Sequence, residues 1–262
     1  MLQPIAIQQR SAMQQRSAMQ PAQQQCEPVE GAPVQLALVP VQTAPVQTGE
    51  VPAGEAQPGE PAASPAALPR QLEALVAACD ACRRCPLGLA RTQVVVSRGN
   101  PTARLMVIGE GPGAQEDARG LPFVGRAGQL LDQMLESVGI DSNRDAYVCN
   151  VVKCRPPENR KPSGLEMAAC LPWLQHQVAL VNPAVILLAG ATALEGVLGV
   201  KGGITNLRGQ WRQGSEAWLE GRWLMPIFHP SFLLRHPSRE RGSPKWLTWH
   251  DLQDVKRRLE LE

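Results

Sequence analysis

The chain has 262 residues, seven cysteines and a formal net charge of +2, enough for one substantial domain with an extension. No apolar run approaches the ~20 residues of a membrane span, and the N-terminal Met-Leu-Gln-Pro-Ile-Ala-Ile-Gln-Gln-Arg lacks the basic-then-apolar plan of a secretory signal. No membrane partner is therefore expected, the location is expected to be intracellular, and the cysteines point to metal or cluster ligation before disulfides.

Charge is uneven along the chain. Residues 1–69 carry two Arg and five Glu, a sum of −3, whereas residues 70–262 carry 24 basic and 19 acidic residues, a sum of +5. A mildly basic folded part suits a polyanionic partner, although a GC-rich genome produces the same excess of arginine.

Residues 1–69 read as a disordered Gln/Pro/Ala-rich tail. Gln-Gln-Arg-Ser-Ala-Met occurs at 8–13 and again at 14–19, and Ala-Pro-Val-Gln at 32–35 and 44–47. Such sequence offers too little periodic apolar surface to offset the entropy of ordering. Residues 70–262 form the second, folded domain. Leu72, Leu75, Val76 and Cys79 fall at helical spacing, and Cys82-Arg-Arg-Cys85-Pro86 ends that helix. Arg91 to Arg98 looks extended.

Arg104-Leu-Met-Val-Ile108 reads as a buried strand, followed by a turn with Gly109, Gly111 and Gly113 that carries Glu110, Glu116 and Asp117. The glycines run G-x-G-x-G, so this is not a dinucleotide fingerprint. A strand ending in a Gly-rich turn is where α/β proteins place ligands; the competing reading is a plain turn with solvated acids. Ala127 to Val138 is an amphipathic helix stopped at Gly139. Ala146 to Val152 is a second strand, and a polar loop, Lys153 to Pro162, follows it. Ser163-Gly-Leu-Glu166 is a capping box opening a helix to about Leu180. Ala184 to Leu188 is a third strand, Thr192 to Leu198 a short helix, and Gly202 to Gln213 a loop or hairpin. Trp223 to Phe228 is a fourth strand that His229-Pro-Ser231 leaves, and Lys245 to Leu261 is a closing helix.

Strands alternating with helices predict an α/β fold with a parallel sheet covered on both faces. Glu110, Asn150 and His229 then sit at or just past the carboxyl ends of strands, able to converge on one crevice. Cys82 and Cys85 are two residues apart in the C-x-x-C sense, and Cys154 and Cys170 have fifteen residues between them. Four thiolates from two distant segments suit a tetrahedral zinc or a four-iron cluster. The second pair is not C-x-x-C, which favours iron–sulfur over a zinc ribbon. Cys154 and Cys170 can also be small core residues, and Cys79 and Cys149 compete as ligands.

Gly109-Glu-Gly-Pro-Gly-Ala-Gln-Glu-Asp117, Gly120-Leu-Pro-Phe-Val-Gly-Arg-Ala-Gly128, Asn150-Val-Val-Lys-Cys-Arg-Pro-Pro157 and His229-Pro-Ser231, in this order and with this cysteine spacing, resemble the family 4 uracil-DNA glycosylases. The resemblance covers about Cys82 to the C-terminus. It implies a three-layer α/β/α sandwich with a four-stranded parallel sheet and a four-iron four-sulfur cluster on Cys82, Cys85, Cys154 and Cys170. It also implies a DNA repair hydrolase that releases uracil from single- or double-stranded DNA, here expected to act as a monomer associated with the nucleoid. The family most often has Ala where this chain has Gly111. A related branch that traps uracil-DNA carries a basic, His-containing insertion after the first motif; Arg119-Gly-Leu-Pro-Phe123 runs on without one.

Such an enzyme must extrude its base or take single strands. Phe123 is the candidate aromatic face for the pyrimidine, unless it is ordinary core. Asn150 offers the donor and acceptor that match uracil O4 and N3–H, unless it only forms a turn. His229, as a neutral N–H donor, and the backbone N–H of Gly111 would stabilise charge on the departing base. Glu110 would orient the attacking water; Glu116 is a second catalytic candidate that, like Asp117, can instead cap the turn. Ser231 would hold a DNA phosphate, and Leu233 or Leu234 would wedge into the duplex. Arg155, Arg160, Lys161, Arg235 and Arg239 are phosphate contacts or solvated surface charges. A non-catalytic DNA-binding or polymerase-associated module of the same fold, and a zinc protein acting on nucleotides, are the competing functions.

Overall fold

The computed structural model describes residues 67–261. Of the tail expected over residues 1–69, residues 1–66, with Cys26, lie outside the described residues. The first helix, α1, takes in the last residues assigned to that tail, because Leu68-Pro69 supplies a proline at its first turn, where the missing N–H costs nothing.

In chain order the elements are α1 (Leu68–Asp80), α2 (Leu87–Ala90), β1 (Ser97–Gly99), β2 (Leu105–Gly109), α3 (Ala114–Arg119), α4 (Arg126–Glu136), β3 (Ala146–Asn150), α5 (Gly164–Val181), β4 (Val185–Ala189), α6 (Ala191–Leu198), α7 (Ile204–Leu207), β5 (Arg212–Gln213), β6 (Trp223–Ile227), α8 (Pro230–Arg235) and α9 (Pro244–Leu261). The strands form one sheet in the order β1-β3-β2-β4-β6-β5. The four central strands are parallel, as their apolar runs predict. The sheet nonetheless has six strands rather than four. β1 and β5 add antiparallel edges of three and two residues, too short and polar to show a period of two.

Alternate strand residues enter opposite cores, as the pleat requires. Met106, Ile108, Tyr147, Cys149, Ile186 and Leu188 pack with Leu174 and Val178 of α5. Leu105, Val107, Val148, Val185 and Leu187 pack with Leu131 and Leu135 of α4 and Leu252 and Val255 of α9. The result is the expected α/β/α layering. No described helix is long and apolar enough to cross a membrane.

The parallel register aligns the strand ends. Gly109 pairs with Asn150, and Ala189 pairs with Ile227. Beyond that edge Val151 N–H donates to Gly109 O at 2.9 Å and Val152 N–H to Glu110 O at 3.2 Å, so the segments after β2 and β3 leave the sheet as a pair. Gly190, with φ +93°, turns β4 into α6; a Cβ there would stand 2.8 Å from His229 Cβ. Glycine is thus what allows the turns after β4 and β6 to approach each other.

Candidate active site and cysteine cavity

One pocket lies at this carboxyl edge. Glu110, Gly111, Glu116, Phe123, Asn150, His229 and Ser231 all line it, together with Pro156 and Arg160. Side chains up to about 120 residues apart in sequence meet there because they stand at strand ends, or in the segments beyond them, that the register brings level.

Phe123 forms a wall of the pocket and is 6% exposed, its ring also packing into the α4 core. Phe123 thus lines the pocket and packs as core at once. Its backbone is left-handed at φ +55°, and its ring centroid lies 5.9 Å from that of His229. Gly109 makes room for it: a Cβ there would come within 2.4 Å of the Phe123 ring and 2.5 Å of Asn150 Oδ1. Asn150 is the last residue of β3, and its Oδ1 is buried with no hydrogen-bond partner. An orphaned buried acceptor costs about 1–3 kcal/mol, which a ligand donor would offset.

His229 Nδ1 accepts the Ser231 N–H at 3.1 Å and lies 2.8 Å from Ser231 Oγ. A nitrogen that accepts carries no proton, so the neutral ring holds its proton on Nε2. Burial, with the nearby Arg235 charge second, pushes the imidazole down to about 4. Glu110 Oε2 accepts the Thr192 hydroxyl at 2.5 Å. Thr192, buried at the start of α6, escaped sequence reasoning; its signal was its place just past Gly190, at the one central strand end that had supplied no candidate.

Glu116 stands apart from Glu110. Its Oε1 accepts Val124 N–H at 3.0 Å and Gly125 N–H at 2.8 Å, and its Oε2 accepts Gly113 N–H at 3.1 Å. Asp117 ties in the segment before β1 through Thr92 N–H at 2.9 Å. Gly111 N–H has no partner among the described residues, and a Cβ on Gly111 would meet Val152 Cγ2 at 2.7 Å, so glycine suits the packing of this chain. Leu233 is fully buried in the core and cannot wedge into a duplex; Leu234 remains half-buried. Arg160 is held by Glu166 in a two-pronged pair at 2.7 and 2.8 Å, and Lys161 pairs with Glu195 at 2.5 Å.

A second cavity lies behind this edge. Cys82, Cys85, Cys154 and Cys170 line it, and so does Cys79, with Arg91 and Lys153. All the described cysteines are free thiols. Arg91 Nη1 donates to Cys154 Sγ at 3.0 Å, and Lys153 N–H to Cys170 Sγ at 3.4 Å. Burial pushes Cys79 up to about 12 and Cys170 to about 11, and raises Cys154. Cys149 is buried in the sheet and does not line the cavity. Among the described residues no three His, Cys, Asp or Glu side chains converge as a site for a single metal ion. The donors aimed at sulfur suit thiolates, and five sulfurs around a cavity offer more than enough ligands for a cluster. The cavity and the pocket share a segment: Lys153, 1% exposed, donates from Nζ to Asn150 O at 2.5 Å.

A sheet-edge pocket with an aromatic wall, an unpartnered amide, a neutral imidazole and a carboxylate is a receptor for a flat polar ring. Residues 96–253 match the uracil DNA glycosylase superfamily. The chain is 51% identical over 160 residues to the type-4 uracil-DNA glycosylase of Thermotoga maritima, which spans 61% of this chain and 81% of that protein. It is 36% identical to the type-4 uracil-DNA glycosylase of Pyrobaculum aerophilum, over 64% of this chain and 86% of that one. It is likewise 36% identical to that of Sulfurisphaera tokodaii, over 60% and 73%. The chain belongs to the uracil DNA glycosylase superfamily, in its type-4 branch.

Proposed function

We propose that this protein hydrolyses the N-glycosidic bond of uracil in DNA, releasing free uracil and leaving an abasic site for base excision repair. The observation that carries this is the orphaned Asn150 Oδ1 beside the Phe123 wall. Uracil offers N3–H to that oxygen and O4 to the amide N–H; cytosine presents the opposite pattern there. Phe123 covers the face of the extruded ring.

As the C1′–N1 bond breaks, negative charge gathers on uracil O2 and positive charge on the sugar. Neutral His229, with its proton on Nε2, and the free Gly111 N–H donate toward the former. Glu110, steadied by Thr192, orients the attacking water and favours the cationic sugar. Both oxygens of Glu116 are spent on backbone donors, so its role is to hold the Phe123 loop rather than to move a proton. Ser231 directs its N–H and hydroxyl to His229 Nδ1, so it sets the tautomer and is not the phosphate contact that its position suggested.

Cys82, Cys85, Cys154 and Cys170 would hold a four-iron four-sulfur cluster, which supplies cross-linking of distant segments rather than electrons, since hydrolysis needs none. Cys79, the most deeply buried of the five, stays a neutral thiol. The protein acts as a monomer inside the cell, with residues 70–262 as the catalytic domain.

The test is a uracil-containing single strand incubated with the protein and then with alkali. Wild type is expected to break the strand. Glu110→Ala and Asn150→Ala are each expected to slow release by about 10²–10³-fold, the usual cost of one pre-positioned polar group. Strand binding without any break by wild type would replace the enzyme reading with the non-catalytic module.

A further inference from the structure

A second groove opens beside the base pocket on the same helix. Ala127 of α4 lines the pocket, and Leu130 and Met134 line the groove. At 1.5 Å per residue, Ala127 and Leu130 are only about 4.5 Å apart along the helix axis, little more than the ~3.4 Å rise of one nucleotide. The opposite wall is Arg239, Lys245, Trp246 and Trp249. Trp249 is 39% exposed, the one aromatic among the large apolar side chains exposed in the described residues.

Charge on the two sides of the pocket differs. On the side after β3, Arg160 and Lys161 are neutralised by Glu166 and Glu195. On the side after α8, Arg235, Arg239, Arg241 and Lys245 enter no ion pair among the described residues. Glu240 is the one carboxylate between residues 235 and 245. This unpaired positive run begins four residues after Ser231 and leads to the two tryptophans. Cations beside an exposed indole suit a polyanion that carries flat rings.

We propose that this groove binds the nucleotide flanking the uracil, with its base stacked on Trp249 and its phosphates on Arg239 and Lys245. The inference rests on the uracil-DNA reading and adds to it a substrate form. A paired base is already stacked on its neighbours and must leave them to reach Trp249. The groove therefore favours single-stranded over duplex uracil-DNA.

Trp249→Ala, made in the full chain, tests this with uracil placed centrally in a single strand or in a duplex. The single-strand KM is expected to rise about tenfold, within the range for losing one base–aromatic stack, with a much smaller rise on duplex and little change in kcat. Titration with a uracil-free single strand should quench tryptophan fluorescence in wild type and do so less in the variant. Arg239→Ala should lower the salt dependence of that binding by about one counterion, and it decides the matter if Trp249→Ala does not fold. An unchanged single-strand KM in folded Trp249→Ala, or an unchanged salt slope in Arg239→Ala, overturns the proposal and leaves the groove to another partner. If wild type quenches with the uracil-free strand yet never releases uracil, the glycosylase reading fails while the groove stands.

Discussion

His229 enters the fold uncharged, and this shapes its behaviour with pH. Its folded value is pushed down to about 4 by burial, with the Arg235 charge second, against an ordinary value of 6.5. Between those two values the unfolded chain takes up a proton that the folded chain refuses. Stability from this group is complete above the unfolded value and is lost as pH falls toward about 4. An NMR titration should show the His229 ring moving near pH 4 and staying still near 6.5. Uracil release should carry no His229 inflection between about pH 6 and 7, which suits the neutral-donor role proposed for it. At the same scale, Glu110 and Glu116 show how contacts divide two carboxylates six residues apart. One meets a single hydroxyl beside the pocket; the other meets three backbone amides. Nothing in their order along the chain distinguishes them.

At the scale of elements, α9 is locked down by a buried ion pair. Arg208, just after α7, donates from Nε to Asp251 Oδ2 at 2.8 Å, and its Nη2 meets Oδ1. Asp251 is 2% exposed. Asp251→Asn would leave the partly buried guanidinium without its counter-charge, a loss of about 2–3 kcal/mol, below the figure for a fully buried pair because Arg208 keeps some solvent and a bond to Leu247 O. Urea unfolding should show that loss as a lower midpoint, with the slope unchanged if the transition stays two-state. The long helices and central strands could be read from the chain because each carries its own signal. α5 opens on the Ser163–Glu166 capping box, and β4 is an unbroken apolar run. β1 and β5 could not, since their few residues owe their extended form to a neighbour's open edge.

Across the whole molecule, the cysteine cavity and the base pocket are two ends of one short segment, Asn150 to Cys154. Lys153 joins them through its backbone N–H to Cys170 Sγ and its ammonium to Asn150 O. A cluster in the cavity would therefore brace the amide proposed to select the base. Cys85→Ala is expected to remove the brown colour of the proposed cluster, lower the yield of soluble protein and reduce uracil release by at least about tenfold, as loss of a supporting shell does. Colourless, soluble protein with full activity would show that the cysteines do nothing for the pocket.

The chain alone determined that there would be a parallel sheet, that Glu110, Asn150 and His229 would stand at its carboxyl edge, and that the cysteines came in two distant pairs. Those features follow from apolar periodicity, glycine placement and spacing, which are local properties. Tertiary structure decided the rest: that Thr192 holds Glu110, that Ser231 serves His229, that Leu233 is core, and that Arg160 and Lys161 are neutralised while the 235–245 run is not. Each of these turns on which partner lies within about 3 Å in space, and no order of residues along a chain encodes that distance until the strands are in register.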